Sequence, residues 1–338
     1  MKVSVLLSVA AALVSPAIAE IINGTTTPLP EDLNGSNFTY PWPVNLYRFA
    51  SQNQSLEMAF MDVAPRNTSN EKTALLLHGK NFCGATWNAT AKVLLGAGYR
   101  VILPDQIGFC KSSKPTNYQF SLQQLALNTR SLLQELGVGN ITLIGHSMGG
   151  MLATRFSLMY PQHVTELVLV DPIGLEDWLA KGVPYLSIDD IYKNEAASNY
   201  TSIRAYQQAT YYVNEWRDEY DVWVVMLNNV YHGSLGKQFA WCQARVTDMV
   251  LTQPVLYEFG LLNMRTLLVV GDKDNTAIGK QWSPPEVQAR IGHYNILGKE
   301  VVKMIPKGML VEWEDLGHSP QVQNPDRFHE ALMRWLAG

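Results

Sequence analysis

Ile141-Thr142-Leu143-Ile144-Gly145-His146-Ser147-Met148-Gly149-Gly150 joins a short apolar run to a helical pattern through Gly-x-Ser-x-Gly. The run is continuous rather than alternating, which reads as a strand buried on both faces, and from Met148 to Met159 the spacing predicts a helix. A serine on so sharp a strand-to-helix turn holds strained dihedrals and presents its Oγ, so the residues two before and two after it need minimal side chains. Gly145 and Gly149 meet that need. The helix opening at Met148 aims its first N–H groups and the positive end of its dipole at charge developing beside Ser147. The pattern predicts a nucleophile.

A serine hydroxyl is barely ionised at neutral pH, so it needs a base, and the base needs a group to orient its ring. Of the seven histidines, His318 stands in the turn-rich Asp315-Leu316-Gly317-His318-Ser319-Pro320 directly after the last expected strand. His78 and His146 read as structural, His146 directed away from the reacting face and His78 bracing the loop it opens; His163, His232, His293 and His329 read as surface or cap residues. Two carboxylates, Asp272 and Asp274, lie just beyond the penultimate strand, in the chain order Ser, Asp, His. Asp274 is the first choice of orienting acid, with Asp272 and then Asp171 as alternatives.

Outward from this centre, strand-like runs at Val44–Ala50, Leu56–Val63, Thr73–His78, Arg100–Leu103, Glu166–Val170, Thr266–Val270 and Leu310–Trp313 alternate with helical stretches such as Ser121–Leu136. That alternation predicts a doubly wound α/β core with a mainly parallel sheet. It breaks over residues 172–260, dense in Tyr and Trp, which read as an inserted helical cap between core segments 44–171 and 261–338. Residues 20–43 read as a surface arm, and residues 1–19 as a signal peptide ending in Ala17-Ile18-Ala19. Eight glycosylation sequons, at Asn23, Asn34, Asn37, Asn53, Asn67, Asn88, Asn140 and Asn199, point to the same secretory, extracellular route. A net charge of −4 with no Lys/Arg cluster excludes a nucleic-acid surface, and no apolar run is long enough for a membrane span. Three cysteines exclude a disulfide scaffold, while Cys83 and Cys110 fall in loops whose neighbourhood leaves pairing open. Oligomeric state is open at this level.

His78-Gly79-Lys80-Asn81-Phe82, Asp105 to Ser112, Gly145 to Gly149, Gly271 to Asp274 and Gly317-His318 together resemble, in order and spacing, the motifs of the α/β-hydrolase superfamily. Over residues 44–338 the chain looks most like its capped, serine-nucleophile branch. The resemblance implies a mainly parallel eight-stranded sheet, and an oxyanion hole made by the backbone N–H groups of Met148 and Lys80, with Asn81 in place of Lys80 as the variant. It implies a structural Asp105 that ties down its loop. The Lys80 side chain reads as solvated. Epoxide hydrolases and haloalkane dehalogenases share the layout but carry aspartate where this chain has Ser147. The activity implied is hydrolysis of a small or medium apolar carboxylic ester, thioester or lactone through an acyl-enzyme, on a small-molecule substrate and with no metal or cofactor. Amide or carbon–carbon hydrolysis, perhydrolase or hydroxynitrile lyase chemistry, and ligand binding without turnover are the alternatives.

Overall fold

The structure, a computed structural model, describes residues 19–66 and 68–338. Its strands are β1 (Glu20–Ile22), β2 (Asn45–Ser51), β3 (Gln54–Val63), β4 (Thr73–Leu77), β5 (Arg100–Pro104), β6 (Ile141–His146), β7 (Val164–Val170), β8 (Arg265–Gly271) and β9 (Gly308–Trp313). They form one sheet in the order β1-β2-β3-β5-β4-β6-β7-β8-β9. The first three pair antiparallel, and β5 through β9 run parallel. Strands β4 and β6 are buried nearly end to end, as expected of parallel strands with helices above and below.

The helices are α1 (Asn88–Gly96), α2 (Leu122–Glu135), α3 (Met148–Met159), α4 (Ile188–Ala196), α5 (Tyr200–Thr210), α6 (Asp221–His232), α7 (Gly236–Thr252), α8 (Pro285–Gln288), α9 (Tyr294–Val302), α10 (Pro320–Gln323) and α11 (Pro325–Leu336). Helix α3 crosses β4, β6 and β7 and packs on α2, while α1 packs on α11. Helix α11 shows how local sequence sets this layer. Asn324 caps it by accepting from the Arg327 N–H, Pro325 supplies the preset first turn, and Phe328, Leu332, Trp335 and Leu336 put one stripe into the core.

Between β7 and β8 the chain leaves the sheet. Helices α4 and α7 pack together, as do α5 with α6 and α6 with α7. An aromatic knot holds part of this segment: Tyr212 stacks on Tyr220 with centroids 3.9 Å apart, and Trp216 meets both edge-on.

The expected eight-stranded sheet gains a ninth strand, because residues 20–22 do not lie loose but pair with β2. The rest of the arm is also tied down. Lys111 Nζ donates to Ser36 Oγ at 2.9 Å and to the Glu31 carbonyl, and Lys114 Nζ donates to the Asn34 carbonyl at 2.6 Å. Burial pulls the Lys114 ammonium down to about 8. Hydrophobic periodicity carries no trace of such contacts, since they join lysines to carbonyls some eighty residues away.

Cys83, Cys110 and Cys242 are all buried and unpaired. No helix among the described residues is long and apolar enough to cross a membrane. Sequon residues Asn23, Asn37, Asn53, Asn140 and Asn199 are exposed, whereas Asn88 is half-buried and Asn34 spends its Nδ2 on the Lys111 carbonyl at 2.8 Å. Asn67 and residues 1–18 of the expected signal peptide lie outside the described residues.

Candidate active site

The strand order reverses around β4: the chain passes from β4 outward to β5 and then returns to β6 on the other side. Ligands of open α/β sheets bind at the carboxyl ends of strands beside such a reversal. Five connections converge there. They carry His78-Gly79-Lys80 after β4, Ser147 after β6, Asp171 after β7, Asp274 after β8 and His318 after β9.

Ser147 holds φ 56° and ψ −122°, a left-handed φ that costs a non-glycine residue of order 1–3 kcal/mol. The surrounding backbone enforces it. A Cβ at Gly145 would stand 2.2 Å from the Gly149 carbonyl oxygen, and one at Gly149 2.3 Å from that of Leu77. Loop residue Gly79 also approaches, its absent Cβ falling 3.0 Å from Ser147 Cβ, and Lys80 after it lines the same cavity as Ser147. Met148 opens α3 directly after Ser147, so its N–H has no acceptor within that helix.

His318 Nε2 lies 2.8 Å from Ser147 Oγ, and His318 Nδ1 lies 2.6 Å from Asp274 Oδ2. The imidazole and the carboxylate are buried, and Asp274 Oδ1 accepts the Thr276 N–H at 2.8 Å. The three residues singled out in sequence therefore meet, with hydroxyl, ring and carboxylate in one line of hydrogen bonds. Asp272 makes no bond to His318 among the described residues, and its backbone N–H instead joins β9 through Trp313.

The family model described as alpha/beta hydrolase fold matches residues 74–283. The chain belongs to the α/β-hydrolase family. Lipase 3 of Moraxella sp. (strain TA144) is 27% identical over 74% of this chain and 72% of its own length. Lipase 1 of Psychrobacter immobilis is 29% identical over 75% and 73%. The crystal structure of a probable hydrolytic enzyme from Pseudomonas aeruginosa PAO1 superposes with a TM-score of 0.87 at 56% identity, covering 88% of this chain and 95% of that one. These likenesses make the chain a hydrolase.

Around the hydroxyl, this α/β-hydrolase uses two other buried histidines, His78 and His146, as braces. His78 donates Nδ1–H to the Gly79 carbonyl at 2.9 Å and accepts the Gln106 N–H on Nε2 at 3.1 Å. His146 bonds through Nε2 to the His318 carbonyl at 2.7 Å, so it holds the backbone of the ring-bearing loop rather than simply facing away. Burial lowers the pKa of both rings, which keeps them neutral. Asp105 accepts from the Gly84 N–H, the Tyr40 hydroxyl and the Lys111 N–H, the loop-tying role expected of it.

Lys80 departs from expectation. Its Nζ is not solvated but sits 2.6 Å from Glu195 Oε1 on α4, with both side chains mostly covered, and the Tyr231 hydroxyl caps the other Glu195 oxygen. The segment after β7 is thus latched to the loop that carries the Lys80 N–H. Together they enclose a cavity of about 570 Å³ that reaches Ser147. Tyr211 closes one side, its ring centroid 4.9 Å from that of His318 and its hydroxyl accepting from Asn81 Nδ2 at 2.9 Å. The Tyr/Trp density pointed to this segment as a whole; nothing in the sequence marked Glu195 or Tyr211 individually.

Asp171 also lies against the acid, though not as its substitute. Its Oδ1 accepts the Gly271 N–H at 2.9 Å, while Oδ2 is fully buried next to Asp274, a partner it can bond only by carrying a proton. Burial first, and then the Asp274 charge, raise its pKa well above the ordinary 3.8. A carboxyl kept neutral by the fold stabilises it fully below about pH 3.8, and that stability is lost as pH rises through the raised value. Asparagine matches the protonated acid in shape, keeping a carbonyl acceptor on one side and a donor on the other. Asp171→Asn is therefore expected to melt a few degrees above the parent at pH 7, with the gap closing as pH falls toward 4, and to keep kcat within about threefold. Calorimetric melts across that pH range, beside steady-state rates, check both expectations.

Proposed function

We propose that this α/β-hydrolase is a serine carboxylic ester hydrolase acting through an acyl-enzyme on Ser147. The observation that carries the reading is the bonded line from Ser147 Oγ through His318 to Asp274 at 2.8 and 2.6 Å, at the floor of a cavity. Ser147 Oγ adds to the ester carbonyl carbon as its proton passes to His318 Nε2, and Asp274 steadies the imidazolium. The new oxyanion faces the N–H groups of Met148 and Lys80. When the tetrahedral species collapses, the carbon–oxygen bond to the alcohol breaks and His318 returns the proton to the departing oxygen. Water then adds to the acyl-enzyme with His318 again taking a proton, which frees the acid and restores the hydroxyl.

Likeness to two bacterial lipases supports ester substrates over amides. The cavity walls, with Ile173, Ile191, Ile203, Leu227, Ile278 and Trp282, support a small or medium chain that is largely apolar. Residues 1–19 and the exposed sequons support a secreted, glycosylated chain beginning at Glu20. A p-nitrophenyl ester series of graded acyl length, assayed with the purified protein, tests the activity. Repeated turnover peaking at short or medium acyl groups is expected, and no product release above the rate in buffer would instead indicate a binding protein.

A further inference from the structure

Gln207 lies on α5 one turn before Tyr211, the residue whose ring rests on His318. Its backbone carbonyl accepts the Tyr211 and Tyr212 N–H groups at 2.7 and 3.1 Å, which fixes the side chain at the wall of the cavity that holds Ser147. That side chain is 0% exposed, and neither Oε1 nor Nε2 has a hydrogen-bonding partner among the described residues. Buried carboxamides are almost always paired, because leaving both ends unmade costs stability that a leucine there would not. Thr276 Oγ1, also buried on this cavity wall, is unpartnered in the same way.

The missing partner has a definable chemistry. The charged groups lining the cavity, Lys80 and Glu195, are spent on each other, so no free charge is presented to a ligand. Gln207 offers one acceptor and two donors. A carboxylate would satisfy only the donors, an ammonium only the acceptor, and a hydrocarbon neither; an amide or hydroxyl satisfies both. We propose that Gln207 is a specificity-determining residue, selecting esters that carry a neutral hydrogen-bonding group, an amide or hydroxyl, a few atoms from the scissile carbonyl. This rests on the ester-hydrolase reading of Ser147 and deepens it by naming the substrate class.

Two matched pairs of esters test it. On the acyl side, p-nitrophenyl 3-acetamidopropanoate is compared with p-nitrophenyl 5-methylhexanoate; on the alcohol side, 2-acetamidoethyl acetate with 4-methylpentyl acetate. In Gln207→Met, which keeps the shape and removes the polarity, the amide-to-hydrocarbon ratio of kcat/KM is expected to fall about ten- to a hundredfold in at least one pair, chiefly through KM. The melting temperature is expected to rise, since an unpaired buried amide is gone. Gln207→Leu repeats the comparison should the methionine variant fold poorly. A ratio unchanged in both pairs, or a parallel loss for both esters with a lowered melting temperature, overturns the proposal. If the parent hydrolyses none of the four esters, the ester reading itself has failed, and calorimetric binding of 2-acetamidoethyl acetate to Ser147→Ala still reads Gln207. Binding at least about tenfold weaker in the Ser147→Ala, Gln207→Met double variant upholds the contact, and equal binding removes it.

Discussion

Replacing Ser147 by alanine is expected to lower kcat/KM on p-nitrophenyl butyrate by about 10⁴-fold or more while leaving the fold intact. The hydroxyl is the atom that forms the acyl bond, and no other described hydroxyl hydrogen-bonds to His318. Alanine fits, because the methylene position is kept and only Oγ is lost. Residual rate from the N–H groups of Met148 and Lys80 should remain above that of water, since they stabilise an oxyanion whatever attacks the carbonyl. Steady-state rates with a circular dichroism melt check the two halves of this statement. A variant that keeps a tenth or more of the parent rate would mean that another group attacks.

Gly145→Ala tests the platform rather than the nucleophile. An added methyl would stand 2.2 Å from the Gly149 carbonyl oxygen, 2.6 Å from its carbon and 2.9 Å from Ala153 Cβ. Two of these neighbours are backbone at the opening of α3, so relief requires shifting the helix that carries the Met148 N–H. Overpacking of this kind costs about 1–3 kcal/mol and sometimes more, and the backbone overlap puts this site at the upper end. A fall in melting temperature of roughly 4–5 °C follows at that upper end, because the unfolding entropy of a chain this long is about 0.7 kcal/mol/K. Activity should fall further than stability explains, because Ser147 moves with the turn. Differential scanning calorimetry and the rate of the folded fraction separate the two effects.

How far the molecule could be read from its residues depended on the range of the forces involved. The buried parallel strands announce themselves as continuous apolar runs, and Gly145 and Gly149 are glycine because backbone oxygens occupy the space of their side chains. Ser147, Asp274 and His318 were legible because each follows a strand directly, so topology alone brings them to one edge of the sheet. The contacts that hold this edge in place were not. His146 bonding to the His318 carbonyl, Lys80 pairing with Glu195 and Asp171 accepting the Gly271 N–H join residues distant in sequence through polar atoms, which leave no periodic mark. Residues 20–22 form a strand although they are too few to show alternation, since β2 presents an unpaired edge that their backbone completes.

Covalent capture by a fluorophosphonate tests the central claim most directly, because phosphonylation needs a serine whose proton is removed by an adjacent imidazole. Peptide mapping by mass spectrometry is predicted to find one equivalent of probe on Ser147 in the parent, much slower capture in His318→Ala, and none in Ser147→Ala. Label on a different residue, or an unlabelled parent that still hydrolyses esters, would contradict the account.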